Sequence, residues 1–157
     1  MYPNLYINAD NYAIEFEDPN VLSYLNSIGI GSNGYVTEAQ AAAANSIYSS
    51  TPNTTITKFN EFRYFTNITT PSSGGWGGQG NNYYGFKDWT SLEEIDISNL
   101  TVLGHNHTYA NHNTFRGCTA LKTVTASSNL EKIGASSFTN CENLETISGL
   151  SGEITLG

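Results

Sequence analysis

Two ten-residue segments, FRGCTALKTV at 115–124 and FTNCENLETI at 138–147, carry Phe, Cys, Leu and Val or Ile at matching places, each three residues after the last. FKDWTSLEEI at 86–95 keeps the same frame with Phe86, Trp89, Leu92 and Ile95. FRYFTNITTP at 62–71 keeps it in part, with Phe62, Phe65, Ile68 and Pro71. The leading Phe residues stand 24, 29 and 23 residues apart. A second mark follows in each of the last three units: Leu103-Gly104, Ile133-Gly134 and Leu156-Gly157. A unit this short cannot bury its own aromatic and aliphatic side chains. Units laid one on another can, with their short strands pairing into a parallel sheet.

The spacing of Leu121-x-x-Val124 reads as a short strand entered from a tight turn, its apolar positions facing inward. Gly after Leu or Ile suits a turn that a side chain would obstruct. Cys118 and Cys141 share a column with Trp89 and Phe65, which reads as buried thiols acting as small hydrophobes. A disulfide between neighbouring units is the alternative. Two cysteines are too few for a disulfide scaffold or a four-ligand zinc site. Pro71 falls where the later units carry Ile95, Val124 and Ile147. Proline cannot donate to a ladder, so 62–85 is expected to be an edge unit.

The pattern FxxCxxLxxI…IGxxxF, carried by FRGCTALKTVTASSNLEKIGASSFTNCENLETI at 115–147, resembles the BspA-like leucine-rich repeats of bacterial surface proteins. Such repeats are common in Bacteroides and also occur in phages and protists. The resemblance covers 62–157, in units 62–85, 86–114, 115–137 and 138–157. It implies an α+β repeat solenoid, a leucine-rich-repeat-like stack of short parallel strands. It also implies adhesion or protein–protein contact, with no cofactor and no catalysis.

Residues 1–61 do not repeat and are expected to form a small N-terminal helical cap. Asp18-Pro19-Asn20 starts a helix that continues through VLSYLNSI, and GIGSNG at 29–34 ends it. TEAQAAAANSIY reads as a second helix, with Thr37 and Gln40 as a capping box. IEFEDPNV followed by GYVTEAQAAA resembles the segment ahead of the repeats in many gut Bacteroides proteins, where the loop is acidic. The helix–loop–helix has the outline of a degenerate EF-hand. With Gly34 as its turn glycine, the ligand places fall on Gly29, Gly31, Asn33, Thr37 and Gln40, without a carboxylate for calcium.

The net charge is −8 and only six residues are basic, which argues against nucleic acid and anionic membranes as partners. No segment is long and apolar enough to insert into a membrane. The N-terminus MYPNLYINADNYAIEF lacks the basic start and apolar core of a signal peptide, so location stays open, with a cell surface or a virion favoured. No catalytic motif appears. Glu93, Glu94, Glu131, Glu142 and Glu145 fall between the apolar steps and are expected in solvent, as is Asp96.

Two insertions interrupt the units, SSGGWGGQGNNYYG at 72–85 and HNHTYANHN at 105–113. Insertions in neighbouring repeats emerge together on one face, often the binding face. Trp76, Tyr83, Tyr84 and Tyr109 with their Asn and Gly neighbours suit an adaptable protein contact or a sugar ring. His105, His107 and His112 extend that surface; without acidic or thiol companions they are not read as a metal site. The expected function is a non-enzymatic adhesion module contacting protein or glycan at a bacterial surface. The alternative is a phage tail, fibre or decoration component using the same repeat. The last unit is expected to be covered by further repeats or another chain.

Overall fold

In the computed structural model, the described residues are 6–8, 11–47, 49, 51–69, 82–83, 85–103, 111–134, 136–151 and 155–156. The chain opens with strands β1 (Tyr6–Asn8) and β2 (Asn11–Tyr12), which pair antiparallel. Helices α1 (Pro19–Ser27) and α2 (Glu38–Ala43) follow. Then come β3 (Lys58–Phe59) and a 3-10 helix, Asn60–Tyr64. The remaining strands are β4 (Asn82–Tyr83), β5 (Glu94–Asp96), β6 (Val102–Leu103), β7 (Asn111–His112), β8 (Thr123–Thr125), β9 (Lys132–Ile133), β10 (Thr146–Ser148) and β11 (Thr155–Leu156).

Two parallel ladders run through the repeating part. One has the order β3-β5-β8-β10, the other β6-β9-β11. Ile95 pairs with Val124 and Val124 with Ile147, so the sequence columns are the ladder register. The marks before glycine form the second ladder, with Leu103, Ile133 and Leu156 in register. These parallel ladders fit a leucine-rich type of repeat fold.

The columns become a core. Phe86, Phe115, Leu92, Leu121, Ile95 and Val124 are fully buried. The Phe86 and Phe115 rings stack at 5.2 Å, and Phe115 stacks on Phe138 at 5.4 Å. Each Phe so buried contributes roughly 1.5–3 kcal/mol by loss of apolar surface from water. Both cysteines are free thiols, so no disulfide links the units. Each thiol donates to the carbonyl of the preceding unit's Phe: Cys118 to Phe86 and Cys141 to Phe115, both at 3.0 Å. The column is therefore small, apolar and able to satisfy one backbone acceptor per unit.

One register differs from the sequence reading. Pro71 lies outside the described residues, and the residue beside Ile95 is Phe59. The spacing explains it. Ile56 and Phe59 keep the three-residue step of Leu92 and Ile95, and both are fully buried. The carbonyl of Thr57 accepts from the amides of Glu93 and Glu94, as that of Glu93 accepts from Lys122 and Thr123. Phe65 and Ile68 instead match Ile97 and Leu100. Thr101 donates to Thr69 as Glu131 donates to Thr101. The ladder thus begins at Lys58, inside the segment expected to form the helical cap.

The two helices begin where local chemistry predicts, but α2 stops at Ala43, short of the helix read over TEAQAAAANSIY. Asp18 caps α1 by accepting from the Asn20 amide, with Pro19 opening the helix. Thr37 and Gln40 form the reciprocal capping box of α2. Between them Gly29, Gly31, Asn33 and Gly34 all adopt positive φ. The segment also holds β1, β2 and a bridge between Ala13 and Thr37, so it is a mixed element rather than helices alone. It docks on the repeats through the Tyr24 ring, edge-on to Trp89 at 5.2 Å.

Candidate functional site

β4 and β7 arise from the two insertions. They pair in parallel, with Asn82 beside Asn111 and Tyr83 beside His112. Tyr83 and His112 each stand three residues ahead of the leading Phe of their unit. The turns they enter are clamped together just downstream. The Phe86 amide donates to the Thr114 carbonyl at 2.6 Å, and that of Asp88 donates to Arg116 at 2.8 Å. Asn113 and Thr114 are buried beneath this join. The core Phe column therefore anchors the C-terminal stem of each insertion, and the short ladder brings the two stems side by side.

Of the candidate contact residues, Tyr83 and His112 are brought together as backbone neighbours. Trp76, Tyr84, His105, His107 and Tyr109 lie outside the described residues. Asn82 and Asn111 were not singled out from sequence, yet they form the other register pair of the same ladder. The signal was present in their common position four residues before Phe86 and Phe115.

The charged groups sit elsewhere. Lys122 reaches Glu93 at 2.9 Å, and Lys58 lies between Glu94 at 3.4 Å and Glu17 at 3.5 Å. The hydrogen bond to Glu94 raises the Lys58 pKa, and that to Glu93 raises the Lys122 pKa. Glu131, Glu142 and Glu145 are exposed; Glu93, Glu94 and Asp96 are half-buried. The Asp96 carboxylate accepts from the Ser98 amide and so closes the turn after β5. Burial pushes the Cys141 thiol up to about 11 and that of Cys118 in the same direction. Neither is poised as a nucleophile, since reactivity belongs to the thiolate. Among the described residues no three His, Cys, Asp or Glu side chains come together as a metal site, and no helix is long and apolar enough to cross a membrane.

The family model described as BspA type leucine rich repeat region matches residues 42–156, in 6 copies. Its span begins in the last turn of α2 and takes in β3 as well as the ladders that follow. A comparison with curated proteins finds no match.

Proposed function

The chain belongs to the BspA-type leucine-rich repeat family, and on that premise we propose that it is a non-enzymatic recognition module for protein or glycan at a bacterial surface. In this reading the units form a solenoid, and the segment ahead of Lys58 covers its first strand. The contact surface is built by the two insertions, with Trp76, Tyr83, Tyr84, His105, His107, Tyr109 and His112 as its side chains. The observation that supports it is the parallel pairing of β4 with β7. Tyr83 beside His112 joins aromatic-rich segments separated by a whole unit of sequence. Aromatic rings offer apolar area at low entropy cost, and the Asn and Gly between them adapt to polar edges.

The test begins with a glycan and protein array to identify a ligand for the intact chain. Trp76→Ala, Tyr84→Ala and Tyr109→Ala are then compared with wild type by calorimetry. At least one aromatic anchor is expected to weaken binding by tenfold or more, roughly the 1.4 kcal/mol or above that marks an energetic anchor. Unchanged affinity in all three, with folding intact, would remove this surface from consideration.

A further inference from the structure

Asn33-Gly34 is the one Asn-Gly pair in the chain. It forms the whole loop of a tight hairpin between α1 and α2. Ser32 and Tyr35 exchange backbone hydrogen bonds at 3.0 and 3.1 Å, and the two residues between them have positive φ, 53° and 81°. Asn-Gly is the sequence such a turn favours. It is also the pair with least hindrance to attack on its own side chain, because glycine has no Cβ to shield its amide nitrogen. Asn33 and Gly34 are exposed, and the hairpin bonds use the amides of Ser32 and Tyr35, not that of Gly34.

The hairpin leads directly into buried structure. Val36 is fully buried, and its carbonyl accepts from the Ile14 amide at 2.8 Å. Thr37 bridges to Ala13 and caps α2. On the other side of the turn, a Cβ added at Gly31 would stand 2.7 Å from Val36 Cγ2. The two sides of the hairpin therefore touch without slack, and a longer backbone at 33–34 has nowhere to go but into 36–37.

We propose that Asn33 is a self-modification site, deamidating through a succinimide to isoaspartate, and that the lengthened turn releases 36–37 from 13–14 and uncaps α2. Water is the co-reactant. A solvent base takes the Gly34 amide proton, the nitrogen bonds to Asn33 Cγ, and the side-chain nitrogen takes up a proton and leaves as ammonia. Water then opens the ring. Attack at Cγ gives aspartate; attack at the backbone carbonyl gives isoaspartate, whose main chain is one methylene longer. The planar ring and the closed hairpin need different Asn33 dihedrals, so the reaction proceeds from openings of the turn. A hairpin this short opens locally.

The intact chain is held at mildly alkaline pH in heavy-oxygen water. Peptide mass spectrometry locates the label, and enzymatic methylation counts isoaspartate. Label is expected at position 33, while Asn26 and Asn45, which precede serine, stay unchanged. The Ile14 amide, bonded to Val36, and the Ala41 amide, bonded to Thr37 at 3.0 Å, report the release. Their exchange in the aged chain should quicken about fivefold, the scale of a lost helix cap, while that at Ile95 and Val124 holds. Asn33→Gly keeps the positive φ and should show no change on ageing. Freshly prepared Asn33→Asp carries the charge without the longer backbone and should exchange as fresh wild type does. Four results overturn the proposal: no label at 33 in the time that urea-unfolded chain is converted, labelling of Asn26 or Asn45 as fast as of Asn33, unchanged exchange at Ile14 and Ala41 once isoaspartate has formed, or the aged pattern already present in Asn33→Asp.

Discussion

Asp18 and Glu61 are both buried carboxyls, and their surroundings drive them in opposite directions. Burial alone would raise the Asp18 pKa. The Thr57 and Asn20 amides, the Thr57 hydroxyl and the Lys58 amide outweigh it, and the pKa lies below the usual carboxylate range. Through these bonds, at 2.6 Å from the Thr57 amide and 2.9 Å from that of Asn20, one side chain ties α1 to β3. Glu61 accepts from the Glu17 amide through one oxygen at 3.0 Å, while its buried Oε2 has no partner. Burial, aided by the nearby Glu17 charge, raises its pKa despite that bond and the Arg63 charge. The signs follow by linkage. Asp18 contributes stability present above its unfolded pKa of about 3.9 and lost as pH falls through its lower folded value. Glu61 does the reverse: its contribution is full below about 4.3 and is lost as pH rises through its raised folded value. Urea midpoints measured across this range should show Asp18→Asn flattening the acid limb and Glu61→Gln flattening the decline on the other side. Wild-type slopes in both variants would contradict this assignment.

At the level of elements, the turns that feed the strands repeat a backbone state rather than a residue. Asp88, Gly117 and Asn140 each stand two residues after the leading Phe, and all three have positive φ, between 60° and 78°. Asp and Asn tolerate that region through local hydrogen bonding, and glycine does so without a Cβ. A Cβ at Gly117 would stand 2.2 Å from Asp88 Oδ1, the end of a side chain that can swing aside, so Gly117→Asn should cost only about 1 kcal/mol. Gly149 is different. Its φ is +80°, and a Cβ would stand 2.1 Å from the Ala126 carbonyl oxygen, a backbone atom that cannot swing away. Gly149→Ala should cost about 1–3 kcal/mol by thermal or urea unfolding, from strain and that clash together. Equal costs for the two changes would show that φ, not the close approach, governs both. The same elements show what could be read beforehand. The Phe, Cys, Leu and Val columns were legible because spacing by three set the register directly. The 62–71 frame misled because Phe62, Phe65 and Ile68 repeat that spacing one step downstream of Ile56 and Phe59, and either set satisfies the pattern. The second ladder was visible only as Leu or Ile before glycine, since a two-residue strand has no alternation to show. Tyr83 and His112 could be placed in adjoining insertions, but the bonds that join their units, from the Phe86 amide to Thr114 and from the Asp88 amide to Arg116, are backbone contacts that side-chain patterns do not encode.

Over the whole molecule, each unit contacts its neighbours, so stability should be graded along the array rather than uniform. The Phe column provides the measure. Phe115 lies between the rings of Phe86 and Phe138 and is fully buried, while Phe138 has Phe115 on one side and is half-buried. The N-terminal side is held more firmly. Tyr24 meets Trp89, and Asp18, Asn20 and Ser91 cross-link 18–20 and 91 to the 54–57 segment. Phe115→Ala removes a packed ring from the middle and should cost about 3–5 kcal/mol, disrupting both adjoining interfaces. Phe138→Ala should cost less, because part of that ring is already in water. Its effect should also be local: amide exchange at Thr146–Ser148 should quicken while that at Glu94–Asp96 stays near wild type. In the unmodified chain the same gradient should appear, with β10 exchanging faster than β8 and β8 faster than β5. Uniform exchange across the three strands would mean that the array opens as one cooperative body.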